Sequence, residues 1–398
     1  MKNRREFLKQ SSLIAMTPMV PGYLANFARV NQPKSDDRVL VVIQLDGGND
    51  GVNTLVPFKD EGYKKHRKNI SLAPQDLLKL DEQLGLNPGM RNAASLWEAG
   101  QLALVPSVGY PNPNRSHGAS MAIWQTCQFK VRDQNSHGWL GLSMDQKTPD
   151  PNGAPISMYI GKRQQPIAIQ GRKNSASSLS NIRDFVMPAG LETLDHKTSP
   201  ANANDIKSFL EKRNVEAFNL SSTLEGLNSK ADNSARYPGS RLASNLRMVS
   251  QLLKSGFGTR IFYTAQGGYD THANQLRSHS ALLSDLSGAL KAFLDDLKSA
   301  KLDDRVLVLC FSEFGRRVDE NGSLGTDHGA GGLVMLAGSQ VQPGIHGPYS
   351  SLLDLDDGAL RVQTDFRSVY SSVLSQWLDT DPQKSVHGPF DELSLVKS

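Results

Sequence analysis

Acidic residues, histidines and glycines gather at a few points that lie far apart in this chain. The first group is Asp46-Gly47-Gly48-Asn49-Asp50-Gly51, and the second is Asn114-Arg115-Ser116-His117-Gly118. Three more follow: Gly267-Gly268-Tyr269-Asp270-Thr271-His272, Ser312-Glu313-Phe314-Gly315-Arg316, and Gly325-Thr326-Asp327-His328-Gly329-Ala330-Gly331. Carboxylates and imidazoles are the donors that hard and borderline divalent ions such as Zn²⁺, Mn²⁺, Mg²⁺ or Ca²⁺ accept. Two such ions about 4 Å apart can hold the attacking and leaving oxygens of a displacement at phosphorus or sulfur. Glycines beside each group permit close approach and unusual backbone angles. Each group has a plainer alternative. Asp46 could cap a helix or make an Asx turn, and Glu313 with Arg316 and Arg317 could form surface ion pairs. The recurrence of the pattern favours a joint site for Asp46, Asp270, His272, Glu313, Asp327 and His328, holding one or two divalent ions.

Ser116 reads in two ways. A hydroxyl at a helix start, close to a divalent ion, is easily activated as a nucleophile; the same serine could serve only as an N-cap. The positive helix end favours an anion there. Arg115 could clamp an anionic ester or merely sit in solvent, and His117 stands beside it as a candidate catalytic group. A serine hydrolase built on Ser116 and His117 is disfavoured, because neighbours on a helix start point apart and no G-x-S-x-G elbow surrounds the serine. His66 lies in a basic run, KKHRK, and reads as solvated. His196 and His279 sit in no glycine-rich turn and read as surface residues, whereas His137, His346 and His387 each precede glycine and suit turns.

The elements that must position these residues are short apolar runs. Residues 38–45 (RVLVVIQL), 101–108 (QLALVPSV), 259–264 (TRIFYT), 305–311 (RVLVLCF) and 332–337 (GLVMLA) lack polar alternation, as parallel strands covered on both faces do. Leu282, Leu283, Leu286, Leu290, Phe293, Leu294 and Leu297 recur at helical spacing ahead of one strand. Leu242, Leu246, Val249, Leu252 and Leu253 do the same ahead of another. This alternation predicts an α/β fold, a doubly wound and mostly parallel sheet flanked by helices. Ligands of such sheets bind at the carboxyl ends of the strands, which is where the polar groups fall. The stretch 145–240 is rich in Pro, Gly, Asn, Ser and Lys and reads as an irregular inserted cap, with a strand-like PIAIQ at 166–170 and helices near 205–227.

The N-terminus carries N-R-R-E-F-L-K at 3–9, then a modest apolar stretch broken by Pro18 and Pro21. Residues 1–30 thus read as a twin-arginine signal segment, followed by a domain over 37–398, and they imply export to the periplasm or beyond by the twin-arginine machinery. No later segment approaches the roughly 18 apolar residues of a stable membrane span. A net charge of +4 is small for 398 residues and does not point to nucleic acid. Cys310 lies in an apolar strand pattern, where a buried free thiol is expected over a disulfide with Cys127.

With these residues in view, the chain resembles the bacterial family called domain of unknown function 1501. The resemblance covers nearly the whole chain. It is carried by the twin-arginine start, LDGGNDGVNTLVP (45–57), RSHGASMAIWQT (115–126), GGYDTHANQ (267–275), FSEFGRR (311–317), GTDHGAGG (325–332) and TDFRSVYSSVL (364–374). That family is in turn similar to the alkaline phosphatase and sulfatase superfamily of metal-dependent hydrolases. The resemblance implies an alkaline-phosphatase-like fold, with Asp46 as first-strand metal ligand and Ser116 at the nucleophile position. It also implies Asp270, His272 and His328 on one metal and Asp46, Glu313 and Asp327 on a second. The chain departs from the superfamily pattern in three places: one residue, not three, separates Asp270 from His272; a strand that commonly ends in Asp-His ends here in Ser312-Glu313; and the formylglycine signature Cys-x-Pro/Ser-x-Arg is absent. The implied function is an exported hydrolase of phosphate esters, with sulfate esters second and a small anionic ester or glycan as substrate. The alternative is a non-catalytic exported binding protein that keeps the fold.

Overall fold

A computed structural model of the protein describes residues 38–130, 136–148, 155–174, 176–180 and 235–397. The twin-arginine segment at 1–30 and the helices expected near 205–227 lie outside these residues. The apolar runs become the strands of one central sheet. In chain order the elements that matter here are β1 (Val39–Asp46), α1 (Arg91–Glu98), β2 (Leu102–Gly109) and α2 (His117–Thr126). Next come β3 (Ser157–Ile160), β4 (Ser177–Leu179), α3 (Arg241–Lys254), β5 (Ile261–Gly267) and α4 (Gln275–Ser299). The last are β6 (Val306–Phe311), β7 (Arg316–Glu320), β8 (Thr326–His328), β9 (Gly332–Ala337), β10 (Gly344–Ile345), β11 (Thr364–Asp365) and α5 (Phe366–Ser372).

The sheet runs β10–β2–β9–β6–β1–β5–β3–β4, with β11 also paired to β2. β1 is parallel to β5 on one side and to β6 on the other, which puts Asp46, the Gly267 loop and the Ser312 loop at one end of three adjacent strands. The expected doubly wound, mostly parallel sheet is therefore present. One strand departs from it: β9 is antiparallel to both β6 and β2. Between β6 and β9 the chain makes only the antiparallel pair β7–β8, and without a crossover it re-enters the sheet in the opposite direction.

Alternate side chains of β1 enter opposite cores, which explains its unbroken apolar run. Val39, Val41, Ile43 and Leu45 pack with residues of α1, α3 and α4. Leu40 and Val42 pack on the other face with Ile123 and Trp124 of α2 and Phe366, Val369 and Tyr370 of α5. Cys127 and Cys310 are both buried free thiols, as expected for Cys310. Two pieces of the region read as an inserted cap, β3 and β4, extend the central sheet beyond β5. PIAIQ is not a strand: Ile167–Ile169 form a 3₁₀ turn, and the Ile167 N–H donates to Gln125 Oε1 (3.0 Å) instead of to a ladder partner.

His279 is a correction to the surface reading. It lies on the apolar face of α4, one turn before Leu283, and is 1% exposed, with Nε2 2.9 Å from Asn49 Oδ1. The helical spacing from Leu283 and Leu286 was the signal that places it inside. Burial pushes its pKa down to about 4, despite nearby Asp50. The folded protein thus binds this proton less readily than the unfolded chain, whose histidine titrates near 6.5. The resulting stability is complete above pH 6.5 and is lost as pH falls toward 4, amounting to about 3 kcal/mol. Urea unfolding of wild type at pH 7.5 and pH 5 should show about 2 kcal/mol of this loss, since pH 5 is still above the folded-state value, and His279→Gln should reduce the difference between the two pH values.

Candidate metal centre

β1 ends at Asp46, and the chain turns at once through Gly47, whose φ is +119°. A Cβ there would lie 2.3 Å from the Asp270 backbone nitrogen, so the two strand-end loops can touch only because position 47 is glycine. Gly47→Ala is expected to cost on the order of 1–3 kcal/mol through strain at this φ and to push the Asp270 loop outward, which thermal unfolding and metal titration would both register.

The loops meet around one oxygen. Asp270 Oδ1 lies 2.6 Å from Arg316 Nη2, 3.0 Å from His272 Nε2, 3.2 Å from His328 Nε2 and 3.4 Å from His117 Nε2. Against the cost of burial, the hydrogen bond and charge of Arg316 hold this carboxyl down at about 2. His272 Nε2 and His328 Nε2 are themselves 3.0 Å apart. Behind each imidazole the other ring nitrogen meets an acceptor: His117 Nδ1 faces Glu313 Oε1 (2.7 Å), His272 Nδ1 faces Asp327 Oδ1 (3.1 Å), and His328 Nδ1 faces the Arg115 carbonyl (2.8 Å). A neutral ring so held carries its proton on Nδ1 and presents the lone pair of Nε2 to the common point. His117 Nε2 is buried and has no hydrogen-bond partner, although Asp270 Oδ1 is near. An orphaned imidazole nitrogen beside two others and a carboxylate is the donor arrangement a divalent ion completes. His117, Asp270 and His328 offer ligand atoms within 4.8 Å of one another.

The remaining predicted residues take other positions. Glu313, 2% exposed, accepts from the Gly47 N–H (3.0 Å) and the Ser312 hydroxyl (2.9 Å) besides holding His117. Asp327 accepts from Asn321 Nδ2 (3.1 Å) and backs His272. Asp46 accepts from the Gln44 amide and is ion-paired to Arg163; burial pushes its carboxyl up against the opposing pull of these two donors. Asp46 and Glu313 line one cleft, while Glu313 and Asp327 each face the ring nitrogen of a histidine. Arg115 turns away to Asp357 Oδ2 (2.6 Å), and only its carbonyl enters the site. Ser116 is exposed at the N-cap position of α2 and makes no side-chain cap bond. His117, read as a catalytic neighbour of Ser116, joins the ligand group instead.

Two arginines were missed. Arg316, read as a surface partner of Glu313, is 1% exposed and donates to the carbonyls of Gly48 (2.8 Å), Thr326 (2.8 Å), Tyr269 (3.0 Å) and Gly47. Only the glycine-rich loops around it could have signalled that many free carbonyls. Arg163 follows β3, a strand of four residues too short to stand out in the sequence. Beside the centre lies a cleft of about 600 Å³ lined by Asp46, His117, Arg163, Asp270 and Glu313 with Gln44, Gln125, Tyr159 and Tyr263 among others.

Fold and site together define a mostly parallel α/β protein with an imidazole–carboxylate centre at its strand ends. Residues 37–389 match the family described as "Protein of unknown function (DUF1501)", and the chain belongs to that family. No curated protein matches it. Similar solved structures include the C-terminal periplasmic domain of EcEptC from Escherichia coli in complex with Zn (11% identity, 90% of this chain and 88% of that chain, TM-score 0.41). Others are a protein in the alkaline phosphatase superfamily from Vibrio parahaemolyticus (11%, 87% and 71%, 0.34) and the phosphonate monoester hydrolase SpPMH from Silicibacter pomeroyi (11%, 88% and 75%, 0.38). Among the described residues no helix is long and apolar enough to cross a membrane.

Proposed function

We propose that this protein is an exported metal-dependent hydrolase of small anionic esters, phosphate esters first and sulfate esters second. The observation that carries the reading is the convergence of His117, His272 and His328 on Asp270 at the wall of a polar cleft. A divalent ion held there would polarise the ester and make water more acidic. The chain's own groups do the rest. Glu313, Asp327 and the Arg115 carbonyl fix the three rings. Gln44, held by Gln125 (2.9 Å) and Tyr263, keeps Asp46 turned toward the cleft. Arg163 is 65% exposed and can exchange Asp46 for the anionic group of a substrate. Because Ser116 is exposed and absent from the cleft lining, water is the nucleophile this geometry favours. The absence of the formylglycine signature favours phosphate over sulfate, and the N-terminal twin arginines favour export in the folded state to the periplasm or the cell exterior.

The test is turnover of aryl phosphate, phosphodiester and aryl sulfate substrates by purified protein, before and after chelation and with Zn²⁺ or Mn²⁺ restored. Activity on a phosphate ester that chelation abolishes and metal restores is the expected result. A metal-loaded protein that turns over none of the three would overturn the reading in favour of an exported binding protein.

A further inference from the structure

We infer that the centre takes a single zinc-class ion on His117, His272, His328 and Asp270, and that the buried guanidinium of Arg316 stands where a two-ion site would carry its second cation. This rests on the reading that the centre holds a metal, and goes further in fixing the number of ions and their class.

The donor set sets the class. Three imidazole nitrogens and one carboxylate oxygen suit Zn²⁺ and its transition-metal neighbours, whereas Mg²⁺ and Ca²⁺ take oxygen donors. Bonds of about 2.0–2.1 Å in a tetrahedron place neighbouring donors about 3.3–3.4 Å apart. Four of the donor pairs already stand at 3.0, 3.2, 3.4 and 3.0 Å. His117, Asp270 and His328 offer ligand atoms within 4.8 Å of one another, with His272 Nε2 3.0 Å from both Asp270 Oδ1 and His328 Nε2, and all three rings are held from behind by acceptors.

Arg316 sets the number. A second ion in a paired site lies about 3.5–4 Å from the first and shares or neighbours its carboxylates. Here the guanidinium touches Asp270 Oδ1 at 2.6 Å, and its side chain is 0% exposed. Four backbone carbonyls anchor it, from the Gly47, Gly48, Tyr269 and Thr326 positions that frame the site. It cannot leave without orphaning those carbonyls in the interior, and an arginine cannot shed its charge. Two further carboxylates that a second ion would need are engaged: Glu313 with the Gly47 N–H and His117, and Asp327 with His272.

Chelator-stripped protein reloaded separately with Zn²⁺, Co²⁺, Mg²⁺ or Ca²⁺ and freed of excess ion by gel filtration provides the test, with metal counted by plasma mass spectrometry. One Zn²⁺ or Co²⁺ per chain is expected, with the strong visible absorption of four-coordinate cobalt, while Mg²⁺ and Ca²⁺ wash away. Two Zn²⁺ per chain, or Mg²⁺ or Ca²⁺ kept in preference to Zn²⁺, would overturn the inference. Asp46→Asn is expected to keep its one ion; loss of the ion there would put Asp46 among the ligands and overturn it as well. One ion without ester turnover would defeat the hydrolase reading and leave this one standing. Two ions with turnover would do the reverse, and a chain that binds no ion defeats both.

Discussion

Asp270→Asn should bind metal at least about 10²-fold more weakly than wild type, a loss beyond the 10–100-fold usual for partners that only orient ligands. One oxygen of Asp270 is the point on which three Nε2 atoms and Arg316 converge. An amide there keeps the shape but removes the charge, so the ion loses its only anionic donor and Arg316 loses its counter-charge. Asp327→Asn is the paired control. It touches His272 through Nδ1 and no ligand atom, so its effect should stay within 10–100-fold. Metal content after dialysis at graded free Zn²⁺ measures both, and circular dichroism of the same samples separates lost affinity from lost fold. Equal effects for the two substitutions would remove Asp270 from the centre of the site.

How much of this was legible in the sequence depends on the range of the interaction. The strands announced themselves because a two-sided core demands an unbroken apolar run, and β1, β5, β6 and β9 were read within a few residues. The positions of Asp270, His272 and His328 followed from a rule about strand ends, which needs only order along the chain. The division of labour among the acidic residues did not follow. Whether Glu313 binds a metal or a histidine depends on where His117 points, and that is set by packing between α2 and the β6 end, nearly 200 residues away in the chain. Arg67 makes the same point. In KKHRK it looks like one more solvated cation, and only the fold reveals Asp50 waiting for it inside.

That buried pair underlies the largest stability effect expected. Arg67 and Asp50 are both 0% exposed and meet through two hydrogen bonds, Nη1 to Oδ2 (2.6 Å) and Nη2 to Oδ1 (2.9 Å). Asp50 also accepts from the Val52 and Asn53 N–H groups and from the Gln275 amide. Against the cost of burial, Arg67 keeps its carboxyl below the ordinary range. Removing one member leaves a buried charge uncompensated, so Asp50→Ala should destabilise the fold by about 3–5 kcal/mol. The double variant Asp50→Ala, Arg67→Met should be less damaged than the sum of its parts, because the stranded charge goes with its partner. Denaturant unfolding of the four proteins in the cycle measures this, and simple additivity would refute the coupling. The damage should also reach the metal centre along a defined route. Gln275, held by Asp50, accepts through Oε1 from Thr271 Oγ1 (3.0 Å) and Thr326 Oγ1 (2.6 Å). Thr271 stands between Asp270 and His272, and Thr326 two residues before His328. A chain folded without Asp50 should therefore hold its ion more weakly even though no ligand has been touched, which metal titration under conditions where the variant remains folded can measure.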